Sequence, residues 1–237
     1  FLKIKNMKKK YSENLKNLRI NINKYKNKSS DNISKLLALR KKLQKKETMK
    51  SKILPISKLK DWKYKDGKIY HKSNQFFSVE GVTVKNAQRE VDKWDQLIFN
   101  QPHGGVLAFL VRETKKNGVE FLLHLRSEPG DENIKFCPSF SATKSNMNQA
   151  HGGKKTDFFD IVIKQQGSKI IAKSAHNEEG ARFWRKRNEN WLVFLNDPKD
   201  KRIKDEKFIW ANIWQIKKLC LEECLINPYV KTILFMI

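Results

Sequence analysis

Two apolar runs joined by a glycine turn restrict this chain more than any other feature. Residues 106–111 (VLAFLV) follow Gly104-Gly105, and residues 119–125 follow Asn117-Gly118. An Asn-Gly pair between apolar runs supplies the positive φ of a tight turn, so the two runs are expected to pair as a hairpin. The first run does not alternate with polar residues, which predicts a strand covered on both faces. The second passes through Phe121, Leu122 and Leu123 into alternating His124, Leu125, Arg126, Ser127 and Glu128 and stops at Pro129-Gly130. A third piece, residues 134–137, is stopped by Pro138. After it come Ser139, Ser141, Thr143, Ser145 and Asn146. Small hydroxyl and amide side chains of this kind bind a polyhydroxylated ligand without bulk, although a strand, a solvated turn and a second strand would read the same way.

The 237 residues suffice for one substantial core in one or two domains. The charge is lopsided: residues 1–60 hold 20 basic and 3 acidic side chains, the rest 30 and 22. Residues 8–46 show two lysine-rich stretches with apolar residues near helical spacing, parted by an Asn/Lys/Ser break. They are read as two basic amphipathic helices, the second capped by Ser30 or Asp31. Lysine density falls near Lys50, so residues 1–50 are expected to be a basic helical arm or linker, dispensable for a domain spanning 51–237. Such an arm raises a nucleic-acid or membrane-surface role, but aromatics for stacking bases are few in it. Cys137, Cys220 and Cys224 show neither paired nor metal-ligand spacing. With no apolar run of membrane-spanning length and no signal-like N-terminus, a cytoplasmic protein without a metal is expected. Because the first residue is Phe, the chain is read as a fragment or as starting at Met7.

Further signals lie on both sides of the hairpin. Residues 68–71 and 75–84 (QFFSVEGVTV) read as two strands. Arg89 to Gln96 (REVDKWDQ) brings a guanidinium fork suited to phosphate and, in Trp94, a flat ring suited to a sugar or base. The alternative is an Arg89 paired on a helix surface and a Trp94 in the core. Residues 158–162 read as a short helix or strand, 169–172 and 191–195 as strands, and 208–224 as a helix.

Several of these stretches resemble the NDP-hexose 2,3-dehydratase family. The resemblance is carried by His124-Leu125-Arg126-Ser127-Glu128-Pro129-Gly130, by Pro138-Ser139 through Thr143 to Asn146, and by Arg89-Glu90-Val91 with Trp94 and Gln96. It continues in His176-Asn177-Glu178-Glu179-Gly180 with Phe183, in Arg187-Asn188, and in Trp210, Gln215, Ile216 and Leu219. It covers roughly residues 53–237. Ser141 replaces a family glutamine and Leu97 a proline, and the chain contains one module, most like the second, where the family usually has two in tandem. The resemblance implies an α/β (α+β), Nudix-like fold, a mixed sheet with flanking helices, although the Nudix hydrolase signature is missing.

The implied reaction removes water across C2 and C3 of a nucleotide-linked 4-keto-6-deoxyhexose and uses no redox cofactor. The C4 ketone acidifies the C3 proton, a base takes it, the C2 hydroxyl leaves, and the enol becomes a 3,4-diketo-2,6-dideoxy sugar. Implied for proton transfer are Glu128, His124 and Glu178, with the division of roles open. Implied for substrate binding are Arg89, Trp94, Gln96, Arg126, Ser139, Thr143, Asn146, Arg187 and Asn188. Glu128 is singled out because it shares a strand face with Arg126 just before a turn. A homodimer, or pairing with a second module, would restore the tandem arrangement. A non-catalytic nucleotide-sugar-binding module and a nucleic-acid-binding protein are the competing readings.

Overall fold

The computed structural model describes residues 2–150 and 152–237, with side chains from Asn6 onward. Two helices come first, α1 (Leu2–Lys24) and α2 (Ser34–Lys46). Both are basic on the outside only. Their inward residues Leu18, Leu36 and Leu43, with Ile22 and with Ile33 at the N-terminal end of α2, are buried in the largest hydrophobic cluster of the molecule. The composition change near Lys50 therefore marks the end of the lysine-rich surface, whereas the core extends back into the arm. No side chain caps α2. Its entry turn is made by Asn32, whose side chain accepts from the Ser34 N–H at 2.8 Å, while Ser30 accepts from Asn32.

A light antiparallel sheet follows, β1 (Trp62–Lys65), β2 (Lys68–His71), β3 (Ser78–Val84) and β4 (Trp94–Asn100), paired in chain order. Asp66 and Gly67 make its first turn with φ of 53° and 72°, the sign a two-residue hairpin of matching twist requires. The stretch 85–93 is irregular and leads into β4, so Arg89 lies on a loop and not on a helix.

The predicted hairpin is present as β5 (Gly105–Thr114) and β6 (Gly118–Arg126), with Gly118 at φ 68° in the turn. These strands pair only from Val111–Phe121 to Thr114–Gly118 and then diverge. Into the fork run β7 (Lys135–Pro138), paired with β6, and β8 (Phe140–Thr143), paired with β5. Ser139 sits between them. Its hydroxyl accepts from the Leu110 N–H at 2.7 Å and donates to the Ala108 carbonyl at 3.2 Å, satisfying backbone that the splayed strands cannot.

After α3 (Lys144–Met147) and α4 (Phe159–Val162) come β9 (Ser168–Asn177), β10 (Arg187–Leu195), β11 (Phe208–Asn212), α5 (Ile213–Leu219) and α6 (Pro228–Leu234). The main sheet is ordered β11-β6-β5-β10-β9, with β10 parallel to β5 and its other pairs antiparallel. One face, with Phe109, Phe121 and Leu123, is covered by apolar residues of α1, α2, α5 and α6; the other, with Leu110 and Leu122, meets Ile161 and Val162 of α4. The mixed sheet with flanking helices is therefore present, and residues 106–111 are covered on both sides as their lack of alternation predicts. Residues 208–212 form strand β11, so the helix expected over 208–224 starts at Ile213. It is capped reciprocally by Asn212 and Gln215, a structural role for the family's glutamine.

Candidate active site

A cavity of about 1270 Å³ lies between β3 and β4 on one side and the segment that joins β9 to β10 on the other. Arg89, Trp94, Gln96, Glu178, Lys186 and Arg187 line it. The joining segment is strapped to the light sheet: the Phe99 N–H donates to the Arg182 carbonyl at 2.8 Å, and the Trp184 N–H to the Phe99 carbonyl at 2.8 Å. Gln96 completes the strap, accepting from the Trp94 indole N–H at 2.8 Å and donating to the Ala181 carbonyl at 2.7 Å. Trp94 and Gln96 thus shape the wall through each other. Arg89, exposed on its loop, forms no salt bridge among the described residues. Trp184, 41% exposed, carries the Arg185 guanidinium 4.7 Å above its ring, and Arg185 has φ 49°. Sequence reasoning missed both, since an aromatic–arginine pair in an irregular connection has no periodic signal.

Glu178 sits at the base of this segment, where its N–H still pairs with the Lys186 carbonyl at 3.0 Å and so fixes its backbone. Three donors converge on one of its oxygens, Oε1: the Tyr229 hydroxyl at 2.6 Å, Asn188 Nδ2 at 2.6 Å and Lys186 Nζ at 3.5 Å. Among the described residues no donor engages Oε2, and Glu178 lines the cavity. The side-chain amide oxygen of Asn188, Oδ1, in turn accepts from the Gly105 N–H at 2.9 Å. This close approach of β10 to the start of β5 requires glycine at Gly104, where a Cβ would lie 1.6 Å from the Arg187 carbonyl oxygen. A carboxylate held through one oxygen, with no donor on the other among the described residues and a cation beside it, is of a kind able to act as a general base.

The remaining candidates are placed elsewhere. Glu128 does not line the cavity, and both of its oxygens are occupied: Oε1 accepts from Arg126 Nη2 and Asn227 Nδ2, Oε2 from Asn227 Nδ2, each at 3.0 Å. Arg126 is turned to the same pair, and its Nε is buried with no hydrogen-bond partner among the described residues. The expected proximity of Arg126 and Glu128 is present, but it makes an ion pair and not an open site. His124 stacks on Phe208 at 4.3 Å, and burial, helped by Arg126 and Lys207, pushes it down to about 4, so it is neutral near neutral pH. Ser139 is buried in the strand fork and its hydroxyl is spent on backbone. Thr143 caps α3, accepting from the Asn146 N–H at 3.3 Å. A smaller cavity of about 600 Å³, bordered by Lys144, Met147, Phe159, Arg187 and Asn188, adjoins that turn. Arg187 borders both cavities. Among the described residues no group of three or more His, Cys, Asp and Glu side chains is placed to hold a metal ion.

Comparison with known proteins bears on this arrangement. Residues 33–237 match the model of the NDP-hexose 2,3-dehydratase family, a span that includes α2. The dTDP-4-dehydro-6-deoxy-alpha-D-glucopyranose 2,3-dehydratase of Saccharopolyspora spinosa is 29% identical over 185 residues, covering 76% of this chain and 37% of that protein. The proteins of the same name from Amycolatopsis orientalis and Streptomyces violaceoruber are each 30% identical, covering 76% of this chain and 39% and 41% of theirs. This chain thus spans about two fifths of the length of the curated relatives it matches. Among solved structures, a C. elegans Ap4A hydrolase superposes with a TM-score of 0.36 at 14% identity, over 57% of this chain and 96% of that one. A binary complex of a C. elegans Ap4A hydrolase gives 0.37 at 16% identity, over 56% and 93%. From the match over residues 33–237, this chain belongs to the NDP-hexose 2,3-dehydratase family.

Proposed function

We propose that this chain removes water across C2 and C3 of a nucleotide-linked 4-keto-6-deoxyglucose, with Glu178 as the proton-transfer group. The observation that carries this reading is the one-sided anchoring of Glu178, with three donors on Oε1 and none among the described residues on Oε2, in the wall of a cavity rich in cations. Glu178 takes the C3 proton, and the electron pair moves toward the C4 oxygen, beside which the Lys186 ammonium is available. Expulsion of the C2 hydroxyl forms the C2–C3 double bond. In a gluco-configured ring the C3 hydrogen and the C2 oxygen lie on the same face, so the proton taken by Glu178 can return to the leaving hydroxyl, which departs as water. One carboxylate then serves as base and acid, and Glu128 and His124 are not required. Arg89 and Arg187 would meet the diphosphate, and the Trp94 ring would cover part of the bound nucleotide sugar.

The wider assembly belongs to the same proposal. A second copy would supply the module that longer relatives carry, making a homodimer the working form. The three cysteines are free, which fits a reducing, cytoplasmic setting. No helix among the described residues is long and apolar enough to cross a membrane. Residues 1–50 would act as an arm folded onto the domain at 51–237.

The test is incubation of the purified chain with dTDP-4-keto-6-deoxyglucose and detection of water loss by mass. Turnover is expected. Binding without turnover would make this chain a nucleotide-sugar-binding module, and neither binding nor turnover would overturn the proposal.

A further inference from the structure

The first turn of α6 reaches both carboxylates. Asn227, its N-cap, accepts from the Tyr229 N–H at 2.9 Å and gives its own N–H to the Phe136 carbonyl at 3.0 Å, which ties the turn to β7. Its amide also holds both oxygens of Glu128. Pro228 fixes the first helical position, and Val230 and Ile233 bury the helix against the core. From this anchored turn the Tyr229 hydroxyl extends to Glu178 Oε1 at 2.6 Å, without lining the cavity itself.

We infer that Tyr229 is a positioning residue: its phenol, carried on the anchored turn of α6, holds Oε1 of Glu178 so that Oε2 faces the substrate. The inference rests on Glu178 as the proton-transfer group. The phenol can only donate to the carboxylate. Burial raises its pKa first, then the hydrogen bond to Glu178, then the charges of Glu178 and Glu128, with Arg126 opposing, so the hydroxyl stays protonated at working pH. A donor at 2.6 Å favours the ionised carboxylate and limits its rotation. Removing that donor should let the carboxyl turn and should weaken the preference for its ionised form. The other groups facing Glu178 are Lys186 and Asn188, while His176 on β9 is engaged by Asn190. All of these remain when the phenol is removed.

Tyr229→Phe keeps the ring and removes the hydroxyl. With dTDP-4-keto-6-deoxyglucose, kcat should fall by about ten- to a hundredfold, KM should stay within about threefold, and the acidic limb of the kcat profile should move to higher pH. Tyr229→3-fluorotyrosine keeps the shape with a stronger donor and should move that limb the other way. A normal melt with an unmoved limb and kcat within about threefold would overturn the inference. Should Tyr229→Phe melt early, the fluorotyrosine variant decides, and an unmoved limb there overturns the inference as well. If the unmodified chain shows no water loss, the dehydratase reading fails by itself. The coupling is then read from the 13C titration of the Glu178 carboxyl: a higher midpoint in Tyr229→Phe upholds it, and an unchanged midpoint rejects it.

Discussion

The main sheet and the light sheet are built to different standards. Phe109, Phe121, Phe136, Leu110 and Leu122 of the main sheet are fully buried beneath helices. Of residues 62–100 only Ile98 is buried, and Leu97 is 71% exposed. The aromatics Trp62, Phe77, Phe99 and Phe183 touch in a chain that is half open to solvent. The cavity lies where the two regions meet, and its residues divide accordingly. Asn188 and Tyr229, two of the donors on Glu178, are carried by β10 and α6 on the heavily packed side, with Glu178 and Lys186 where the joining segment leaves β9 and enters β10, whereas Arg89, Trp94 and Gln96 belong to the light side. The surroundings of Glu178 are thereby fixed by the core, and the wall formed by Arg89, Trp94 and Gln96 can shift at small cost.

The largest effect should come from removing the N-terminal helices. A chain starting at Lys50 loses five buried core residues, Leu18, Ile22, Ile33, Leu36 and Leu43. At about 1.5–3 kcal/mol each, that loss rivals the stability of a whole domain, so calorimetry should show no cooperative melt. A sharp melt at the original temperature would restore the view of a dispensable arm.

Next come single truncations on the two sheets. Phe121→Ala should cost about 3–5 kcal/mol in urea denaturation, and Leu97→Ala less than about 0.5 kcal/mol. Equal costs would erase the distinction between the regions.

A smaller effect concerns His124 in the main sheet. Its pKa falls from 6.5 to about 4 on folding, mainly through burial. Below 6.5 the unfolded chain binds the extra proton, so this contribution to stability is complete above 6.5 and declines as pH falls toward about 4. Urea midpoints of His124→Phe should depend less on pH across that window than those of the parent. Identical slopes would mean that His124 is not the group responsible.

Much of the main sheet was legible in the sequence because Asn117-Gly118, the apolar run at 106–111 and the alternation after Leu123 are local signals. The packing of the N-terminal arm onto the core was hidden for the opposite reason: lysines on the outer faces of α1 and α2 dominate the composition, while the buried leucines and isoleucines are spaced out among them. At the site, Glu178, Arg89 and Arg187 were found through resemblance, and their meeting at one cavity depends on the strap at Phe99 and Arg182, which no local pattern reveals. The Glu128 expectation had the correct strand face, but the amide that occupies this carboxylate belongs to Asn227, 99 positions away. Tyr229 approaches Glu178 across 51 positions. Ser139 looked like one of several ligand hydroxyls because nothing in its neighbours shows that β5 and β6 separate there.

The central claim is that Glu178, and not Glu128, moves the proton. Glu178→Gln and Glu128→Gln can be compared directly by their rates of water loss from dTDP-4-keto-6-deoxyglucose, with melting temperatures as the control for folding. Glu178→Gln should lower turnover by about two to four orders of magnitude, and Glu128→Gln, which weakens the ion pair with Arg126 and the anchoring of Asn227, by about tenfold or less. The reverse order, with Glu178→Gln within about threefold of the parent in a protein that melts normally, would contradict the assignment.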